Sequence, residues 1–318
     1  MRYRRLDNWG QLPDGWALGD TPGVAVNSKG HVFVLNRSEH PVVIFDKEGR
    51  FLDSWEHAAF RRPHALCIGP DDSVYIVDDQ GHAIHKFNAN GTLLLSIETK
   101  DHPSNTGYRP GYPETVQRAG PPFNHPTGLA LSPSGEMYVS DGYGNARVHK
   151  FSPEGRLLYS WGEPGVKDGQ FLLPHGICCD RAEQVYVADR ENSRVQIFSP
   201  KGDFLAVWSD APRASSVALD PDGNFLVTEM GLLMQGPPGN KHIVKENAWP
   251  RITIRSPQGK ILEQWRPDDH GDDGVFFSPH CIAMDSNGDI YVSEVPRSYS
   301  GGLAPPTHAV LTKYWRAQ

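Results

Sequence analysis

The chain has 318 residues, of which 38% are apolar and 22% are charged, and its formal net charge at pH 7 is −7. The acidic balance, with no stripe of Lys or Arg, argues against nucleic acid or an anionic membrane as a partner. The 32 glycines and 27 prolines indicate many turns rather than long helices.

The opening segment, MRYRRLDNWGQLPDGW, carries basic residues without an apolar run behind them. We therefore expect no signal peptide, no membrane span and a cytoplasmic location. The four cysteines, Cys67, Cys178, Cys179 and Cys281, all fall inside predicted strands. This placement favours buried free thiols over a disulfide framework.

A repeated unit then occurs six times along the chain. The units begin at Pro22, Pro63, Pro126 and Pro174, near Ala214, and at Pro279. Each unit has a short apolar run, a Gly/Asp turn, a β-rich run, a polar loop, a third strand, a second turn and a fourth strand that often ends in Trp. Four short strands with two tight turns predict a propeller blade, and no stretch of helical period supports an α/β fold.

The sequence thus predicts an all-β fold, a six-bladed β-propeller of NHL-type repeats, with residues 1–318 forming one domain. Ring closure removes exposed sheet edges, which are the usual hazard of all-β chains. The C-terminal segment HAVLTKYW resembles the third strand of blade six. The ring could close by tight packing of the first and last units or through a shared blade, in which the segment from about Arg2 to Leu12 would supply the missing outer strand.

Long insertions fall at three places that a propeller brings to one face. They are residues 98–125, 229–248 and 295–308. The tight turns of the opposite face stay short in every blade. Variable loops on one rim of a rigid scaffold usually carry function, although neutral insertion is the alternative explanation.

Three histidines share one position of the repeat, where the first strand of a blade enters the channel. Each follows a proline, and they are His64, His175 and His280 of blades two, four and six. The same position in blades one, three and five holds Pro22, Thr127 and Ser215. Histidine in alternate blades places three imidazoles around the axis, an arrangement typical of catalytic zinc with an open fourth position. Iron, manganese and other divalent metals that accept imidazole are alternatives.

Several segments resemble the peptidyl-α-hydroxyglycine α-amidating lyase family (peptidylamidoglycolate lyase), within the wider NHL family. They are FNHPTGLAL, SDGYGNARVHKFSPEGRLLYSWGE, GQFLLPHGI and VADRENSRVQIF. The resemblance extends over nearly the whole chain and implies a six-bladed propeller whose zinc is held by three histidines, which correspond to His64, His175 and His280. It also implies a catalytic role for Tyr143, in the DGY motif, and for two arginines, Arg37 and Arg190.

The resemblance implies a zinc-dependent C–N lyase that cleaves an N-(α-hydroxyalkyl) amide into an amide and an aldehyde or glyoxylate-like product. Tyr143, with its pKa lowered by the metal and the arginines, would accept the proton, and Arg37 or Arg190 would bind a substrate carboxylate. Arg190 has a second interpretation, because DRENSR also recurs in NHL repeats as a loop-tying motif.

The chain departs from this family beside the third histidine. The family has an aspartate there that serves a structural calcium, with backbone carbonyls that correspond to Val24 and Leu66, whereas this sequence has Cys281. Loss of the carboxylate argues against calcium. This sequence includes no copper monooxygenase domain and has long rim insertions, so we expect a small-molecule or short peptide-like substrate rather than peptide hormones.

Two other functions remain open at the level of sequence. A metal-dependent hydrolase of esters, lactones or amides could use the same three histidines. A non-enzymatic NHL-type scaffold would leave the spacing of the histidines unexplained.

Overall fold

A computed structural model describes residues 3–6, 9–99, 101–231, 233–235, 242–245, 249–266, 276–299 and 304–316. The chain forms a six-bladed β-propeller, and each blade is a four-stranded antiparallel sheet. Blade one comprises Gly23–Val26, Val32–Leu35, Val42–Phe45 and Phe51–Trp55. Blade two comprises Pro63–Ile68, Val74–Asp78, Ala83–Phe87 and Leu93–Glu98. Blade three comprises Pro126–Leu131, Met137–Asp141, Arg147–Phe151 and Leu157–Trp161.

The other three blades follow the same order, with one exception at the chain ends. Blade four comprises Pro174–Cys179, Val185–Asp189, Arg194–Phe198 and Phe204–Trp208. Blade five comprises Ala214–Leu219, Phe225–Glu229, Arg251–Arg255 and Ile261–Trp265. Blade six comprises Pro279–Met284, Ile290–Glu294, Leu311–Arg316 and the N-terminal strand Tyr3–Leu6.

The N-terminal strand closes the ring by completing blade six. It pairs antiparallel with Leu311–Arg316, and Tyr3 lies opposite Arg316. Its Tyr3 ring is buried and lies 5.1 Å from the ring of Trp265 in blade five. Of the two predicted modes of closure, the shared blade, in which residues near the N-terminus supply the missing outer strand, is therefore confirmed.

The hydrophobic core lies between the blades rather than inside any one of them. The second strand of each blade is buried along nearly its whole length, because neighbouring sheets cover both of its faces. Six apolar clusters among the described residues each span one junction between adjacent blades. The cluster that contains Val34 and Tyr291 joins blade one to blade six.

The loops between blades and strands contain a few short elements. They are the 3-10 turns Pro113–Thr115 and Arg190–Asn192, the helix Pro296–Tyr299, and the paired segments Glu163–Pro164 with Gln170–Phe171 and Leu233–Gln235 with His242–Lys245. Parts of the predicted insertions 229–248 and 295–308 lie outside the described residues. In the part of the chain described, no helix is long and apolar enough to cross a lipid bilayer.

Candidate metal centre

The three predicted histidines meet at one end of the central channel. The ring centroids of His64, His175 and His280 are 4.8 to 5.0 Å apart. One nitrogen from each ring lies within 4.8 Å of the others. All three side chains are buried, with 0 to 3% of each residue exposed.

A local irregularity of the inner strand accompanies each histidine. The pairing with the second strand shifts register between Pro63 and Ala65, between Pro174 and Ile177, and between Pro279 and Cys281. A β-bulge of this kind turns a side chain away from the regular alternation of a strand. The same shift occurs at Thr127 in blade three and at Ser215 in blade five, so the irregularity belongs to this position of the repeat and not to the histidines alone.

Backbone carbonyl groups fix the tautomer of each imidazole. The Nδ1 atoms of His64, His175 and His280 lie 2.8, 2.6 and 2.7 Å from backbone oxygens. These oxygens belong to Thr127, Ser215 and Pro22, the residues at the equivalent position of blades three, five and one. A carbonyl oxygen only accepts hydrogen bonds, so each Nδ1 carries the hydrogen and each Nε2 presents a lone pair.

The environment also keeps the three rings uncharged. Burial, followed by the charges of neighbouring His280 and His175, holds the pKa of His64 well below its ordinary value. Burial, followed by the positive charge of Arg190, also holds the pKa of His175 well below its ordinary value. Burial and Arg37 lower the pKa of His280 to about 3. Neutral imidazole is the form that binds a metal, so these residues are available as ligands at neutral pH.

Tyr143 lies directly against the histidines. Its Oη is 2.9 Å from Nε2 of His64 and 3.2 Å from Nε2 of His175. Nε2 of His280 is buried and has no hydrogen-bond partner among the described residues. Three converging lone pairs, one of them unpartnered, suit a metal that prefers imidazole ligands.

The ionisation of Tyr143 differs in one respect from the sequence-based expectation. Burial is the largest influence and raises the pKa of Tyr143, and nearby Tyr299 raises it further. Arg190 lowers this pKa, as expected, but it acts against the larger effect of burial. The arginines alone therefore do not produce a phenolate.

The two predicted arginines reach the same region from blades one and four. The guanidinium carbon of Arg190 is 5.5 Å from the ring centroid of Tyr143, and its Nε donates to Glu191 at 2.9 Å. Arg37 donates from Nη1 to Oγ of Ser298 at 3.0 Å and lies 3.7 Å from Asp20. Nη1 of Arg190 and Nε of Arg37 are buried and make no hydrogen bond with the described residues. Each arginine therefore retains a donor for a ligand.

The channel below the histidines does not suit calcium. It is a cavity of about 340 Å³ lined by the inner strands, with Cys281 on its wall. Sγ of Cys281 donates to the carbonyl of Val24 at 3.6 Å, and burial raises the pKa of this thiol. A neutral thiol is a poor ligand for a hard cation. Cys281 is also not part of the ligand cluster formed by the histidines.

The four cysteines and His125 do not belong to the ligand cluster formed by the three histidines. The four cysteines are free thiols, as expected. His125, which directly precedes the first strand of blade three, packs its ring 4.4 Å from that of His82 and 5.3 Å from that of Tyr108. Sequence reasoning missed Tyr299, whose ring centroid lies 5.6 Å from the guanidinium of Arg190. The only sequence signal for Tyr299 was its position in the third rim insertion.

The fold and the site define a six-bladed propeller with three histidines at the channel mouth, and comparisons with known proteins identify its repeats as NHL repeats. The NHL repeat family matches residues 123–151 and 171–198. NHL repeat-containing protein 3 from Mus musculus is 31% identical over 268 residues, which cover 76% of this chain and 74% of the mouse protein. This chain therefore belongs to the family of NHL repeat-containing protein 3.

A second group of relatives is named for an amidating lyase. Peptidyl-alpha-hydroxyglycine alpha-amidating lyase 1 from Drosophila melanogaster is 28% identical over 267 residues, or 78% of this chain. The match spans only 45% of the fly protein. Among solved structures, virginiamycin B lyase from Staphylococcus aureus is similar in fold, with a TM-score of 0.59 and 12% identity, over 93% of this chain and 94% of that one.

Proposed function

We propose that this protein is a metal-dependent lyase, with zinc as the expected metal, that cleaves an N-(α-hydroxyalkyl) amide. The observation that carries the proposal is that one ring nitrogen from each of His64, His175 and His280 lies within 4.8 Å of the others, with all three rings in the tautomer that leaves Nε2 as the free lone pair. These three nitrogens would hold the metal. A bound divalent metal supplies a Lewis acid that polarises the substrate hydroxyl and lowers its pKa.

The reaction requires one proton acceptor and one proton donor. R–CO–NH–CH(OH)–R′ loses the hydroxyl proton, a C=O bond forms, the C–N bond breaks, and the electron pair of that bond goes to the amide nitrogen. Tyr143 would accept the hydroxyl proton as a phenolate and return it to the amide nitrogen, and its Oη lies at the imidazole cluster. Because burial raises the pKa of Tyr143, this role requires the bound metal to lower that pKa. The products are R–CO–NH2 and O=CH–R′, so atoms and charge balance.

The arginines favour a substrate whose R′ group is a carboxylate. Arg37 and Arg190 each keep a buried N–H group without a partner among the described residues. A guanidinium is a strong donor to carboxylate oxygens. The product would then be glyoxylate or a related oxoacid. The name of the fly relative supports this substrate class, and we extend it here to small or short peptide-like amides.

Metal analysis and assays of a matched pair of variants test the proposal. Wild-type protein should contain about one equivalent of metal and should cleave N-acetyl-α-hydroxyglycine to acetamide and glyoxylate. His175→Ala should lose both the metal and the activity. His102→Ala, which removes an exposed histidine elsewhere on the chain, should retain both.

The two alternative functions give different results in the same experiments. A hydrolase would cleave a panel of esters or lactones and leave the carbinolamide intact. A scaffold would contain no stoichiometric metal and would act on neither panel. Full activity of His175→Ala without metal would refute the proposed metal centre.

A further inference from the structure

The helix Pro296–Tyr299 contacts both arginines of the site, although it belongs to blade six and they belong to blades one and four. Oγ of Ser298 accepts a hydrogen bond from Nη1 of Arg37 at 3.0 Å. The ring of Tyr299 lies 5.6 Å from the guanidinium of Arg190. One four-residue segment therefore contacts each guanidinium through a different side chain.

The helix is anchored to blade one through Asp20, which is buried. The backbone N–H of Arg297 donates to Oδ1 of Asp20 at 2.9 Å, and Oγ of Ser298 donates to Oδ2 of the same carboxylate. Nη1 of Arg297 donates to the carbonyl of Leu18 at 3.0 Å. Asp20 also lies 3.7 Å from Arg37, so one carboxylate connects the helix to that arginine.

On the other side of the site, the guanidinium of Arg190 lies over two aromatic rings. The ring centroids of Tyr143 and Tyr299 are 5.5 and 5.6 Å from its guanidinium carbon. Glu191 binds the Nε of Arg190, whereas Nη1 remains without a partner in the described part of the chain. Stacking on aromatic faces restrains a guanidinium while leaving its N–H groups available in the plane.

We infer that Ser298 and Tyr299 are positioning residues that hold Arg37 and Arg190 in place to bind the carboxylate of the substrate. The inference rests on the proposed function, which supplies the carboxylate. Its structural basis is that the helix contacts both guanidinium groups, while Nε of Arg37 and Nη1 of Arg190 keep no hydrogen-bond partner among the described residues. The third rim insertion thereby determines whether the site prefers an acidic substrate to a neutral one.

Binding and kinetics of acidic and neutral ligands test this role in the metal-loaded full chain. The binding probe is N-acetylglycine, measured by calorimetry, and the substrates are N-acetyl-α-hydroxyglycine and N-(hydroxymethyl)acetamide. Tyr299→Leu should weaken N-acetylglycine binding and raise KM for the acidic substrate by about 10-fold. KM for the neutral substrate should change by less than about twofold. These magnitudes correspond to loss of one restraint on a guanidinium.

Conservative and matched variants separate positioning from general damage. Tyr299→Phe keeps the ring and should restore most of the affinity for N-acetylglycine. Ser298→Ala should weaken this affinity through Arg37, and Ser298→Thr should restore it. Tyr112→Leu removes another tyrosine that lies 5.6 Å from an arginine, Arg109, and should leave N-acetylglycine binding unchanged.

Other results of these experiments would contradict the positioning role or separate it from the lyase function. The inference is wrong if wild-type protein does not bind N-acetylglycine, if Tyr299→Leu binds it as well as wild type does, or if acidic and neutral substrates are affected equally. If the binding pattern is as expected but wild type cleaves neither substrate, the lyase function fails while the positioning role stands.

Discussion

Tyr143 provides the most direct test of the metal centre, because its hydroxyl is the hydrogen-bond partner of two proposed ligands. In metal-free protein, Tyr143→Phe leaves Nε2 of His64 and His175 without that partner, in addition to Nε2 of His280. The hydroxyl has one hydrogen and satisfies one nitrogen at a time. A buried polar group that loses its partner costs about 1–3 kcal/mol. We expect the free energy of unfolding of metal-free protein to fall by that amount.

Zinc should remove most of this difference. A metal held by all three Nε2 atoms replaces the hydroxyl as their partner, so Tyr143→Phe should cost less than about 1 kcal/mol in zinc-loaded protein. The same variant should lower kcat for the carbinolamide by about 100- to 10,000-fold, the usual contribution of a positioned acid–base group.

Urea unfolding of EDTA-treated and zinc-loaded protein measures the effect. Tyr138→Phe is the matched control, because this buried tyrosine donates its hydroxyl to the carbonyl of Pro200, away from the histidines. Its cost should be the same with and without zinc. Equal destabilisation of Tyr143→Phe in both states would show that the metal does not bind at the three Nε2 atoms.

Two further predictions concern pH and ring closure. The pKa of His280 falls from an ordinary 6.5 to about 3 in the folded protein, so between these values only the unfolded chain binds the proton, and metal-free stability should fall as pH falls. At about 1.4 kcal/mol per pH unit, His280 should lower the free energy of unfolding by about 2 kcal/mol between pH 7 and pH 5. Denaturant titrations of His280→Gln should show a smaller loss over the same range. A pH dependence equal to that of wild type would contradict this prediction. Tyr3→Ala should cost about 3 kcal/mol or more in the same assay, because it empties a buried position against Trp265 that completes the ring. Leu6→Ala, at a position 41% exposed on the same strand, should cost less than about 1 kcal/mol, and similar costs for both variants would argue against closure by this strand.

The sequence by itself determined the repeat, the number of blades and the histidine positions. Strand and turn signals are local, so six copies of one pattern identify a propeller without any knowledge of long-range contacts. The repeat position that holds His64, His175 and His280 is likewise visible by counting along each unit. The missing strand of blade six made the N-terminal segment a candidate for ring closure, but tight packing of the first and last units was the alternative, and the structure decided between them.

Only the tertiary structure decided how the site is assembled. The hydrogen bond from His280 to the carbonyl of Pro22 joins residues 258 positions apart. Every residue has a backbone carbonyl, so no residue type in the sequence indicates which one accepts this bond. The contact of Tyr299 with Arg190 depends on where the helix Pro296–Tyr299 of blade six lies relative to a loop of blade four. The balance of burial against charge at Tyr143 also depends on packing, because desolvation is set by every group around the side chain. The repeat therefore specifies where the ligands lie, whereas contacts between blades specify their tautomer, their charge and the groups that surround them.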